Sequence, residues 1–216
     1  MTRDRIPLLS KSRFGAGLQC HKRLFLECYS PKLADPIDPG QQAIFESGTA
    51  VGELARERIP GGRLIEEEYF RHDDAVATTR EVIADRSVPA VFEAAFTFDG
   101  IRVRVDILAR KRDGVFDLVE VKSSTRVHDQ YIPDVAIQLY VVEGAGIKVR
   151  RAYLLHIDRE YVFEGGQYDL SRLFHLEDVT EEARKFVQSS VPAALADMRQ
   201  ALGQDISPTI EIGRHC

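Results

Sequence analysis

Two Asp-Gly pairs, each set between runs of alternating residues, constrain this chain more than any other feature. Residues 91–98 alternate, with Phe92, Ala94, Phe96 and Phe98 on one side and Glu93 on the other. Residues 101–110 place Ile101, Val103, Val105 and Ile107 one way and Arg102, Arg104 and Asp106 the other. Residues 115–122 read as a third strand. Asp99-Gly100 and Asp113-Gly114 fall at the junctions, and Asp-Gly readily takes the positive φ that tight hairpin turns need. The stretch 91–122 is therefore predicted to be a three-stranded antiparallel meander.

Helical patterns flank it. Residues 1–30 read as mostly helical, and Ser30–Gly40, with three prolines, as a loop. Residues 41–59 carry apolar or small residues at helical spacing and end at Pro60-Gly61-Gly62. Helices are also expected over 73–86, 129–143 and 179–202, the last kinked at Pro192. Strands are expected at 149–157 and, briefly, at Tyr161–Phe163. The fold class is α/β, a central mixed sheet holding the meander and flanked by helices. At 216 residues, 1–216 reads as a single domain. No run approaches the roughly 18 apolar residues of a membrane span. The opening MTRDRIPLLSKSRF lacks the apolar stretch of a secretory signal, so a cytoplasmic location is expected.

The chemistry sits in the meander. On an alternating strand Glu120 and Lys122 share a face otherwise occupied by Phe116 and Leu118. An edge strand whose charges reach water would explain them blandly. Hairpin geometry offers a sharper account. If Arg112-Asp113-Gly114 forms a three-residue loop with Gly114 left-handed, Lys111 pairs with Val115 and Asp106 faces Glu120. A two-residue turn would instead set Asp106 opposite Val121. If Asp99-Gly100 is a two-residue turn, Glu93 faces Asp106 as well. Three carboxylates would then share one patch beside Lys122, and carboxylates that close repel strongly unless a cation intervenes. An all-oxygen set suits a hard cation, Mg²⁺ or Mn²⁺, and a lysine beside it can orient water or neutralise phosphate charge. No Ser/His/Asp triad, P-loop or zinc HExxH pattern competes. The net charge of −5 argues against a general polyanion-coating protein. It is compatible with an enzyme on DNA that carries clustered acids.

These pieces together resemble the PD-(D/E)XK nuclease superfamily in its RecB-like branch, which includes CRISPR-associated RecB-like exonucleases. The matching residues are Gly48-Thr49-Ala50-Val51-Gly52-Glu53 on a helix, Val103-Arg104-Val105-Asp106, Val119-Glu120-Val121-Lys122, and Gln138 on the next helix. The opening Leu9-Ser10-Lys11-Ser12…Cys20-His21-Lys22-Arg23 is also similar to the start of that branch. The chain is similar, more narrowly, to the N-terminal domain of a family of uncharacterised bacterial proteins.

The resemblance implies a restriction-endonuclease-like core over about 41–160 and a metal held by Asp106, Glu120 and the Val121 carbonyl, with Glu93 added by the register argument. It implies that Lys122 assists the water and that Gln138 contacts DNA or supports the site. The implied reaction is exonucleolytic hydrolysis of DNA. Two departures stand out. Gly52 occupies the place of the branch's usual His, so that Glu53 is either a substitute ligand or a solvated helix-face acid. Tyr140 follows Gln138 by two residues rather than three or four, about 200° around a helix, which makes Asp134 the better companion. The branch often carries a [4Fe–4S] cluster on four thiolates. Cys20 and Cys216 match two of these and the other two are missing, which suggests the N-terminal part of a longer protein. The alternatives are a degenerate nuclease fold that binds DNA or a partner without cutting, and an iron–sulfur scaffold.

Overall fold

Residues 6–210 are described by a computed structural model of the chain. Among them, one seven-stranded mixed sheet forms the spine. The elements run β1 (Leu9–Ser10), α1 (Lys11–Gln19), α2 (His21–Tyr29), α3 (Pro39–Glu57), β2 (Arg63–Leu64), α4 (His72–Ala84), β3 (Ala90–Phe98), β4 (Ile101–Arg110), β5 (Phe116–Lys122), α5 (Ile132–Gly144), β6 (Val149–Ile157), α6 (Leu170–Leu173), β7 (Phe174–Asp178), α7 (Thr180–Ser189) and α8 (Val191–Leu202). The sheet order is β2-β3-β4-β5-β6-β7, with β1 pairing parallel to the start of β4.

The meander forms as expected, in the expected register. Phe98 pairs with Ile101 across Asp99 (φ 47) and Gly100 (φ 70). The Lys111 N–H donates to Val115 O, and Ile107 pairs with Val119. One further step sets Asp106 level with Glu120. The second turn differs in one respect: Asp113 (φ 62) is left-handed as well as Gly114 (φ 73).

The expected unbroken alternation is corrected. Ala94, Phe96, Val103 and Val105 belong to one core, packed with Phe14, Val135 and Leu195, while Phe92 and Ile107 belong to the opposite core with Val51 and Ala55. Both strands change phase at Glu93 and Asp106. The backbone of Glu93 turns left-handed (φ 54) inside the strand. Because both strands shift together, the pairing register is the same on either side.

The two faces are covered unequally. α5 lies on the first face, buried at Val135, Ala136, Ile137, Gln138, Leu139, Val141 and Val142, and carries the parallel crossover from β5 to β6. A helix apolar almost all round belongs between layers, and α7 packs over it. α3 covers the second face through Val51 and Ala55, after an N-cap at Asp38 and Pro39 at its first position.

Two further expectations are corrected, and one strand was not foreseen. The 179–202 helix is two helices divided at Ser190, since Pro192 fits in the first turn of α8, where its missing N–H has no partner to lose. Tyr161–Phe163 lie in no strand. The last strand is instead β7, a mostly exposed edge strand held to β6 by main-chain pairing, which a hydrophobic pattern cannot reveal.

Candidate active site

Asp106 sits where β4 and β5 begin to separate. The Val121 N–H donates to Asp106 Oδ2 at 2.7 Å, taking a side-chain acceptor beyond the last ladder pair. Glu120, on β5, is 2% exposed and fully engaged. Lys11 Nζ, at the first position of α1, donates to Glu120 Oε1 at 2.7 Å and Oε2 at 2.9 Å. Gln138 Nε2 donates to Glu120 Oε2 at 2.7 Å, and Lys122 Nζ lies 3.0 Å from Oε1. Lys122 also donates to Asp134 Oδ2 at 2.6 Å and lies 4.8 Å from the centre of the Tyr131 ring. Glu93 joins Asp106, Glu120, Val121 and Lys122 in lining a cleft of about 490 Å³ closed on its far side by Gly48, Thr49, Gly52 and Arg56 of α3.

The charges are unevenly balanced. Burial, followed by the neighbouring Glu120 charge, pushes the Asp106 carboxyl up to about 7 against the pull of Lys11 and the Val121 N–H. Burial acts on Glu120 in the same sense, but Lys11 and Lys122, with the Lys11 and Gln138 hydrogen bonds, hold it down at about 2. Burial also raises Glu93, partly offset by Arg56, Arg104 and Lys11. Burial would discharge Lys11 and Lys122; the carboxylates facing them raise both ammonium groups instead. Lys11 only partly offsets burial and the Glu120 charge at Asp106, and the all-oxygen donor set there suits a hard cation.

Asp106, Glu120, Lys122, Gln138, Glu93 and Val121 thus come together. Glu53 does not join them: it is exposed on α3, and Gly52 and Arg56 beside it line the cleft. A Cβ at Gly52 would meet nothing within 4 Å, so this wall of the cleft has room for a side chain. Tyr140 donates to Asp99 Oδ2 at 2.9 Å, well apart from Gln138, as the helical angle requires. Gln138 Nε2 donates to the Asp134 backbone carbonyl at 2.9 Å, while the Asp134 carboxylate meets Lys122. Cys20 is buried, and its Sγ accepts the Arg23 N–H at the start of α2. Cys216 lies outside the described residues.

Lys11 was not expected as a site residue. Its only signal was its place in the Leu9-Ser10-Lys11-Ser12 opening, because 109 residues separate it from Glu120. Arg104 is a second unexpected member: its Nη2 donates to Glu67 O at 2.6 Å and its Nη1 lies 3.5 Å from Glu93 O, beside the left-handed residue.

The chain has an α/β fold, a mixed sheet flanked by helices with acids and lysines gathered where its central strands part, and solved structures share that fold. The particular likeness is to LHK-Exo solved in complex with dAMP, at a TM-score of 0.50 and 13% identity over 90% of this chain and 89% of that one. Another structure of LHK-Exo, described as an alkaline exonuclease from Laribacter hongkongensis, aligns at a TM-score of 0.38 and 13% identity over 92% and 91% of the two chains. SSO0001 aligns at 0.34 and 11% over 91% and 77%. At 13% identity the likeness to the dAMP complex is one of fold. No protein-family description matches the sequence, and no curated protein matches it. No helix among the described residues is long and apolar enough to cross a membrane.

Proposed function

We propose that this chain is a divalent-metal-dependent DNA nuclease of the RecB-like type, hydrolysing phosphodiester bonds from strand ends. The observation that carries it is the convergence of Glu93, Asp106 and Glu120 beside Lys122. The residues fit a metal: the donors are all oxygen, and burial beside the Glu120 charge raises the Asp106 carboxyl to about 7, a crowding of acids that a cation relieves. Glu93, Asp106, Glu120 and the Val121 carbonyl would hold Mg²⁺ or Mn²⁺. The ion, when bound, lowers the pKa of water and stabilises charge on phosphorus. Lys122, fixed between Glu120 and Asp134, is placed to orient the attacking water and to neutralise phosphate charge. Gln138 holds Glu120 in its buried orientation.

A second opening reaches Glu93 and Asp106 from the other side, a cavity of about 870 Å³ lined by Lys11, Arg13, Arg102, Arg104, Tyr69 and Phe70. Tyr69 is 84% and Phe70 69% exposed. Cations interleaved with exposed rings are what a single strand needs for backbone contact and base stacking.

One observation favours the non-cutting alternative: Lys11 and its neighbours already occupy both Glu120 oxygens. An iron–sulfur role would draw on Cys20 and Cys216, and a brown, visibly absorbing anaerobic preparation would support it. The deciding experiment incubates the purified protein and Mn²⁺ with end-labelled single- and double-stranded linear DNA, with closed circular DNA beside them. Stepwise loss of linear DNA is expected, reduced about 10²–10³-fold by Lys122→Ala or Asp106→Asn. Intact linear DNA, or Lys122→Ala cutting as well as wild type, would defeat the proposal.

A further inference from the structure

The neighbouring strands β6 and β7 carry a second cluster, built of different donors. His156 and His175 face each other across the antiparallel pair, their ring centres 5.3 Å apart. Glu177 lies two residues along β7 on the same face as His175, its Oε2 3.6 Å from His175 Nε2. One donor atom from each of the three lies within 4.8 Å of the others.

The fixed ring of His156 points to a ligand. The residue as a whole is 7% exposed. Its Nδ1 lies 2.9 Å from Ile157 O, and a carbonyl only accepts, so Nδ1 carries the hydrogen. That leaves the Nε2 lone pair, which no hydrogen bond reaches among the described residues. A backbone carbonyl fixing one ring nitrogen so that the other can bind is the usual support for a metal-binding imidazole. The cluster opens into a cavity of about 390 Å³, so an ion and its water have access.

We infer that His156, His175 and Glu177 form a binding site for a first-row transition-metal dication of the Zn²⁺, Co²⁺ or Ni²⁺ class. Two imidazoles and one carboxylate select such ions over Mg²⁺, which prefers oxygen alone. Bonds of about 2.0–2.2 Å require the donors to draw together from their present spacing. His175 and Glu177 are exposed and can do so by rotamer change while His156 stays fixed. A water would complete the tetrahedron. The ion would tie edge strand β7 to β6 through side chains as well as main chain. None of these residues lines the carboxylate cleft, so the inference stands independently of the nuclease proposal.

The test uses the full chain carrying Asp106→Asn and Glu120→Gln, which disables the carboxylate cleft, titrated with Co²⁺ and followed by calorimetry and visible ligand-field absorption. One equivalent is expected to bind through nitrogen and oxygen, and Zn²⁺ is expected to displace it. Adding His175→Ala should remove that equivalent, and Glu177→Gln should weaken it by about tenfold or more. Both positions are exposed, so neither change threatens the fold. Failure to take up Co²⁺, or the same stoichiometry and affinity after His175→Ala, would overturn the site.

Discussion

Glu93 shows at the scale of one residue how the candidate site is held. Of the non-glycine residues with positive φ among those described, Asp99 and Asp113 occupy hairpin turns; Glu93 occupies a strand. A left-handed conformation costs an ordinary residue about 1–2 kcal/mol, and such strain persists where surrounding contacts over-determine it. Here Arg104 reaches the Glu93 carbonyl, and the paired strands on both sides fix the register. Asn tolerates this conformation better than Gln. Glu93→Asn is therefore expected to melt about 1–3 °C above Glu93→Gln, since both lose the charge and only one relieves the backbone. Both should bind Mn²⁺ more weakly in titration calorimetry. The reverse melting order would show that the backbone at this position is unstrained.

At the scale of elements, the hairpins carry the legible part of the site. Asp-Gly dipeptides set turn lengths locally, turn length sets register, and register aligned Glu93, Asp106 and Glu120 from sequence alone. The phase change at Glu93 and Asp106 was not legible, because each strand keeps a plausible alternation read by itself. Only the two cores pulling on opposite faces reveal it. β7 escaped for a related reason: an edge strand pairs by backbone and needs little apolar patterning. The seat of α5 is also a tertiary matter. A Cβ at Gly144, the last residue of α5, would come within 2.2 Å of the Phe98 ring, which Tyr140 packs against edge-on. Alanine favours a helix by about 1 kcal/mol over glycine, but overpacking costs about 1–3 kcal/mol. Gly144→Ala is thus expected to lower the Tm by about 2–4 °C; a Tm at or above wild type would mean that Phe98 yields without cost.

For the whole molecule the acid cluster couples stability to pH and metal. Asp106, raised to about 7, and Glu93, also raised, hold protons in the folded chain at pH values where the unfolded chain has lost them. Both contributions are complete at low pH and are lost as pH rises, that of Asp106 through about 7. Glu120, lowered to about 2, acts in the opposite sense, and its contribution is lost only as pH falls from the ordinary carboxylate range through about 2. The metal-free protein should therefore lose Tm between about pH 5 and 8, and Mn²⁺ should restore it at the upper end, by about 2.7 kcal/mol at a hundredfold excess over Kd. Asp106→Asn should raise the metal-free Tm at about pH 8 by about 2–8 °C and abolish most of the Mn²⁺ response. A metal-free Tm that climbs across this range would refute the assignment of Asp106. The sequence by itself determined the hairpin register and so the meeting of three acids, because turn chemistry is local. Only the tertiary structure decided what neutralises them, placed Lys11 on Glu120, and left Glu53 in solvent. Those outcomes depend on how helices distant in the chain settle onto the two faces of the sheet, and no local rule encodes that packing.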